Sequence, residues 1–353
     1  MSRRIFLLLF VLFLFAGSLF SCSLVSDPET ERSSLTDSLE RTEPSEEPEI
    51  SETEPVTEIP AQTETETETE TEEPVTEPPI PPIGINELEP VGKELFTYGI
   101  SGDCSELEEL LAAYPNKLTI AAYAMDGRKI LLYDTESTHH SACTIKAGYI
   151  LYVCKQLDSG AESAATKLTY EERHTYDGSG RVRYTEFGTE FTVEYLIQLV
   201  LSISDNTAYR MLLEHFGVYG YNLLMRDLGT SSLFLGPENM FSSYATAQDL
   251  LRVWSAVYDY LQSDAEYASL YRKSCTDTEH AYGAMTLVDY SYSHKSGENL
   301  YRYLATNDAG VVWAETPYLY CMLANINYTV EHIEELNAIM TCVHRLMKPD
   351  SSD

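Results

Sequence analysis

Three short groups of residues in this chain carry side chains suited to nucleophilic and acid–base chemistry. The stretch SACTIKAGYI, Ser141 to Ile150, sets a cysteine three positions before a lysine at the head of an apolar run. On a helix this spacing puts Cys143, Lys146, Ala147, Ile150 and Cys154 along one face. A lysine among small and apolar neighbours is rarely buried without a partner. An ammonium one turn away and the positive end of the helix dipole both favour thiolate, the nucleophilic form of cysteine. The competing reading is packing, because buried cysteines are common and C-x-x-K arises easily by chance. The second group, Ser204-Asp205-Asn206, falls between a helix capped at Thr192 and another running to Phe216. Each of its side chains can satisfy free helix-end N–H groups, so alone it reads as capping. The third, Lys295-Ser296-Gly297, sits on a strand beside a turn and in isolation reads as a solvated loop.

The elements that must position these groups are of α+β type. SELEELLAAY, Ser105 to Tyr114, has helical spacing, and LTIAAYAMDGRKILLYD reads as a hairpin turning at Asp126-Gly127. YSYSHKSGENL, DAGVVWAE and YLYCMLANI read as strands, and TVEHIEELNAIMTCVHRLM as a terminal amphipathic helix. The chain leaves a sheet, builds a helical lobe and returns, which places a cleft for chemistry between the two.

The order and setting of the three groups resemble the penicillin-recognising serine hydrolases, specifically class A β-lactamases, whose motif set is S-x-x-K, S-D-N and K-T-G. The resemblance runs from about Leu118 to the final helix and includes NDAGVVWAETPYLYCMLANIN, which is similar to the strand pair after K-T-G. It implies a β-lactamase/transpeptidase-like fold, an antiparallel sheet flanked by N- and C-terminal helices plus a helical lobe. It also implies acyl transfer on β-lactams or on the peptidoglycan peptides they mimic. By the resemblance, Cys143 takes the nucleophile's place, Lys146 is proton acceptor or electrostatic activator, and Ser204 relays a proton to the departing nitrogen. Asn206 would hold the substrate's side-chain amide, and Lys295 and Ser296, next to Gly297, its carboxylate. The backbone N–H groups of Cys143 and Glu298 would hold the oxyanion, each such donor contributing on the order of 3 kcal/mol.

Two departures stand out. Cys143 replaces serine; a thiolate beside Lys146 is a good nucleophile without a general base. Ser141 cannot substitute for it, because three residues beyond lies Thr144 and not lysine. Class A enzymes also carry a water-activating glutamate in an E-x-x-L-N loop, and here GTSSLFLGPENMFSSYATAQDLLRVW is too short to hold that loop. Glu238 is the only acid near, and it reads as part of an exposed turn. Hydrolysis to free acid is therefore the doubtful half of the cycle.

The remaining sequence sets the compartment. Residues 1–22 carry two arginines, a Leu/Phe-rich core and small residues ending in Cys22, an export signal. Leu19-Phe20-Ser21-Cys22 resembles a lipoprotein lipobox, which implies lipidation of Cys22 and anchoring outside the cytoplasm on a bacterial cell membrane. SRRIFL looks like a twin-arginine motif, but the core is more hydrophobic than that route usually shows, so general secretion is expected. Residues 23–85 form an acidic Thr/Glu/Pro-rich linker that cannot bury a core and is expected to be disordered. Its 19 acidic residues against Arg32 and Arg41 make up about half of the formal charge of −33, which disfavours a nucleic-acid partner. Some 60 such residues span on the order of 45 Å, a tether from membrane into cell wall. Residues 86–353 are then the folded domain. His139 with His140, and Cys275 with His280, lack the paired spacing of a zinc site, so no metal and no cofactor are expected. With Cys22 and Cys143 set aside five cysteines remain, an odd number, and Cys154, Cys321 and Cys342 read as core. The 26 tyrosines read as ordinary half-buried residues. Three readings stay open: an acyl-transfer enzyme working through Cys143, a non-hydrolysing ligand-binding lipoprotein of the same fold, and a structural lipoprotein whose motifs are caps and turns. Joint retention of the second and third groups speaks against the last.

Overall fold

The structure is a computed structural model and describes residues 80–276, 278, 279, 281, 290–301 and 303–348. The expected signal, Cys22, nearly all of the acidic linker, and His280 lie outside the described residues.

In chain order the strands are β1 (Phe96–Tyr98), β2 (Leu118–Ala124), β3 (Ile130–Tyr133), β4 (His139–His140), β5 (Lys167–Thr169), β6 (Glu190–Thr192), β7 (Tyr244–Ala245), β8 (Ser291–Asn299), β9 (Ala305–Trp313) and β10 (Tyr318–Ala324). Six of them form one antiparallel sheet in the order β1-β3-β2-β10-β9-β8. The helices are α1 (Ser105–Ala112), α2 (Ile145–Asp158), α3 (Val193–Ser202), α4 (Asn206–Phe216), α5 (Tyr219–Asp227), α6 (Ala247–Gln262), α7 (Ala268–Thr276) and α8 (Val330–Met347).

The sheet is covered on both faces, and the period-two alternation of strands divides its side chains between two cores. Leu118, Ile120 and Ala122 of β2 pack with Tyr318, Tyr320 and Met322 of β10 against α1 and α8. Ala121 and Tyr123 join Leu319, Cys321 and Leu323 on the opposite face, against the helical lobe. This is why neither central strand shows a polar face in the sequence: every residue of both is buried. At the hairpin between β2 and β3, Gly127 has φ +72°, and a Cβ there would lie 2.6 Å from the Ile83 carbonyl oxygen. Ile83 N donates to Gly127 O at 2.9 Å, and Ile83 and Ile85 pack on the core. The fold thus begins before the expected boundary at residue 86. Prolines gave this stretch a linker's composition, while Ile83 and Ile85, which follow them, are partly buried against the core.

The helical lobe is built around α2, which is buried on nearly all sides from Ile145 to Cys154 and not along one face only. Its neighbours include tyrosines that are fully buried, beyond the half-burial expected from their type. Their hydroxyls cap carbonyls inside the lobe: Tyr149 donates to Gly217 O at 2.9 Å, Tyr271 to Ala147 O at 2.9 Å and Tyr221 to Leu233 O at 2.9 Å. Such pairing removes the desolvation cost of a buried phenol and fixes α2 against the helices around it. The edge strand β8, the turn entering α2 and the link between α3 and α4 converge at one place.

Candidate active site

Cys143 sits in a single 3-10 turn, Ala142–Thr144, that leads into α2. Ala142, directly before it, has φ +46°, a left-handed conformation that costs a non-glycine residue on the order of 1–3 kcal/mol and persists only where the surroundings enforce it. Ser141 supplies much of that enforcement. It is fully buried, its N–H donates to Ser243 O at 2.8 Å, and its hydroxyl accepts from Ser243 N at 3.0 Å. Its carbonyl accepts from Thr144 Oγ1 at 2.6 Å and from Asn307 Nδ2 at 3.3 Å. Ser141 is therefore a clamp under the turn.

Strand β8 closes on the same turn. A Cβ added to Gly297 would lie 2.7 Å from Cys143 N and 2.8 Å from Thr144 N, so only glycine lets the strand approach this closely. Glu298, which follows it, is half-buried and pairs with Thr306 across β9. Lys295 and Ser296 are both buried, and Lys295 Nζ donates to Ser296 O at 2.8 Å.

The link between α3 and α4 brings in the second group. Ser204 has φ +56°, and its hydroxyl and carbonyl both face Lys146. Asp205 caps α4 through Ala208 N at 2.9 Å, and its other oxygen accepts from Arg181 N at 2.7 Å and Val182 N at 2.9 Å. The Asp177-Gly178-Ser179-Gly180 segment folds around this link. Gly178 has φ +99° and Gly180 φ +110°; a Cβ on Gly180 would overlap the Asp205 carboxyl group, and one on Gly178 would lie 2.6 Å from Asn206 Nδ2. Sequence reading passed over these glycines, although D-G-S-G is a turn signal in itself.

Lys146 is completely buried at the centre. Its Nζ donates to Ser204 O at 2.7 Å and Asn206 Oδ1 at 2.7 Å, with Ser204 Oγ at 3.3 Å. Cys143 Sγ lies 3.9 Å from the same Asn206 Oδ1. Asn206 Nδ2 in turn donates to Asp177 O at 2.8 Å, so both ends of this amide are engaged within the protein. Asn206, expected from the resemblance to hold a substrate amide, here fixes the lysine.

Burial alone would push the Cys143 thiol up. The charges of Lys146 and Lys295 and hydrogen bonding with Ser204 and Lys146 outweigh it and bring the thiol below its ordinary value. Burial also lowers Lys146, against Cys143 and Asp205, which favour its ammonium form. Lys295 is lowered to about 8, again chiefly by burial and also by Lys146, with Cys143, Asp308 and Glu298 opposing. Lys146, expected together with the helix dipole to activate Cys143, is thus joined by a second lysine distant in sequence.

The far side of Lys146 is aromatic. Its Nζ stands 5.3 Å from the ring centre of Tyr209 and 5.6 Å from that of Phe241. Phe241 stacks flat on Tyr176, with centroids 4.0 Å apart and planes 4° from parallel. Glu238 lies in the exposed turn closed by Asn239 N donating to Gly236 O. His139 bonds to Thr119 and His140 to Ser242, and among the described residues no group of three or more His, Cys, Asp or Glu is placed to hold a metal. All six cysteines among the described residues are free thiols.

An antiparallel sheet whose edge strand presents Lys-Ser-Gly to a Cys-x-x-Lys turn, with a Ser-Asp-Asn link completing the site, defines a β-lactamase/transpeptidase-like protein. The model of the β-lactamase enzyme family matches residues 104–341. Similar solved structures include a β-lactamase from Sphaerobacter thermophilus, 19% identical with a TM-score of 0.62, covering 70% of this chain and 100% of that one. A mutant of PBP-A, solved as an acyl-enzyme complex with penicillin-G, is 18% identical with a TM-score of 0.61, covering 68% of this chain and 94% of its own. A β-lactamase from Burkholderia vietnamiensis is 17% identical with a TM-score of 0.60, covering 69% and 95%. Comparison with curated proteins gives no match. The chain belongs to the β-lactamase enzyme family and is a β-lactamase-like hydrolase by that membership.

Proposed function

We propose that this protein forms acyl-enzymes with β-lactams or peptidoglycan stem peptides through Cys143, at the outer face of a bacterial cell membrane to which a lipid on Cys22 anchors it. The observation that carries the reading is the meeting of Cys143, Lys146, Ser204 and Asn206, with the thiol below its ordinary value. The Cys143 thiolate attacks the amide carbonyl, and the oxyanion is held by the backbone N–H groups of Cys143 and Glu298. As the C–N bond breaks, Ser204 passes a proton from Lys146 to the departing nitrogen, leaving a thioester on Cys143 and a neutral Lys146. Lys295 and Ser296 orient the substrate carboxylate. The acidic linker serves as the tether to the cell wall.

A second reading is a binder of the same fold that recognises these ligands without turnover. It is favoured by the exposed position of Glu238, which leaves no glutamate of that loop at the thiol. Intact-mass analysis of wild type, Cys143→Ser and Cys143→Ala, each incubated with a penicillin and with a D-Ala-D-Ala thioester surrogate, separates the two. Wild type and Cys143→Ser should gain one acyl group and Cys143→Ala none. An adduct on Cys143→Ser alone would make the natural protein a binder, and no adduct on any would remove the substrate class. For the anchor, Cys22→Ala should release the protein from the membrane fraction or leave the signal uncleaved.

A further inference from the structure

An acyl group on Cys143 can leave with water or with an amine, and the surroundings of Lys146 bear on which. Both short hydrogen bonds from its Nζ go to protein acceptors, Ser204 O and Asn206 Oδ1, and Ser204 Oγ lies within reach. The rings of Tyr209 and Phe241 stand over it at 5.3 and 5.6 Å. An ordered water needs about two to four polar partners, and ring faces supply none. Asp205 and Glu238 do not fill the gap. Asp205 is spent on three backbone N–H groups, and Glu238 stands in an exposed turn three residues before Phe241. Phe241 is only partly buried, and its position is fixed by the parallel stack on Tyr176 and the edge contact with Tyr209 at 4.9 Å.

We infer that Phe241, held against Tyr176, is a positioning residue that keeps activated water from the Cys143 thioester and so directs the acyl group to an amine acceptor. This rests on acylation of Cys143 as proposed above. Water needs a base as it attacks, and Phe241 stands on the side from which it would reach Lys146, whereas a neutral amine attacks with its own lone pair and gives up its proton only afterwards. The amine nitrogen bonds to the thioester carbonyl carbon and the C–S bond breaks. The thiolate is restored, and the amine's proton returns through Ser204 to the Lys146 that gave one up during acylation. A thioester suits this outcome because it combines readily with amines, and the product is an amide in place of a free acid.

The test uses the full chain acylated with benzylpenicillin, with and without glycinamide, following adduct lifetime by intact mass and the amide-to-acid ratio by chromatography. Wild type should keep its adduct without amine and yield mainly amide with it. Phe241→Ala should lose the adduct to acid at least about tenfold faster, equivalent to ~1.4 kcal/mol in barrier, while Phe241→Tyr, which keeps the ring, should behave as wild type. If Phe241→Ala does not fold, Tyr176→Ala reads the same effect by removing the stacking partner. Unchanged lifetime and product ratio in a folded Phe241→Ala or Tyr176→Ala variant, on a protein that does acylate, would overturn the inference alone. Absence of any wild-type adduct would overturn the nucleophile and this inference with it.

Discussion

Cys143 and Cys154 lie eleven residues apart on one continuous segment, and their surroundings treat the same functional group in opposite ways. At the entrance to α2, two lysines and a hydroxyl gather at Cys143 and bring its thiol down despite burial. In the middle of the helix Cys154 is fully enclosed; burial pushes its thiol up, and the Asp158 charge adds to that. Cys275, enclosed nearby on α7, is likewise pushed up to about 12. Desolvation acts on all three thiols, although Cys143 is only partly buried and the other two are enclosed, so desolvation alone does not decide reactivity. The presence of positive charge within the enclosure does.

The largest expected effect breaks the comparison at its root. Cys143→Ala should abolish the penicillin adduct, whereas Cys154→Ala should leave adduct formation in place and lower unfolding free energy by about 1 kcal/mol in a urea melt, as core truncations do. Equal loss of the adduct in both variants would dissolve the distinction. Next in size, Lys146→Met should slow alkylation of Cys143 by iodoacetamide at neutral pH by on the order of tenfold. The rate at Cys154 should remain negligible throughout. An unchanged Cys143 rate would transfer the activation to Lys295 and the helix dipole.

Acidity sharpens the contrast further. Acylation should rise with pH as the Cys143 thiol ionises, which begins below the ordinary thiol range, and should decline above about pH 8 as Lys295 loses its proton. Lys295→Ala should erase that alkaline limb and raise the penicillin KM; a limb that persists would belong to another group. The smallest effect is expected in the acidic linker. Deleting Thr63 to Glu72 should shift the melting temperature by less than experimental error, because a Thr/Glu repeat has no apolar side chains to bury. A shift of several degrees would mean that this stretch docks on the domain.

Much of the architecture was legible because it rests on local chemistry. The turn at Asp126-Gly127, the three returning strands, the Thr192 cap and the final helix all follow from glycine conformation, alternation and capping within a few residues. Ile83 was harder to place, since its partner Gly127 lies 44 residues on and it follows a run of prolines. At the site, the order of the three groups pointed to their meeting, and the roles of individual atoms did not follow from it. The resemblance assigned Asn206 to the substrate, and nothing in the sequence shows that its oxygen also accepts from Lys146 and its nitrogen donates to Asp177 O. Nothing in the sequence pairs Tyr209 and Phe241, which come from separate segments to stand over Lys146, or Tyr176, which stacks on Phe241.

What the sequence determined by itself was the inventory and its order: a thiol three residues from an amine, a Ser-Asp-Asn link, a Lys-Ser-Gly strand, and the local propensities that turn each stretch into its element. Tertiary structure decided the electrostatics. Lys295 lies 152 residues beyond Cys143, and only closure of β8, made possible by Gly297, brings its charge to the thiol. The reason is physical: backbone conformation is set mainly by neighbours along the chain, whereas a buried charge is felt across space and is strengthened by the very exclusion of water that folding creates.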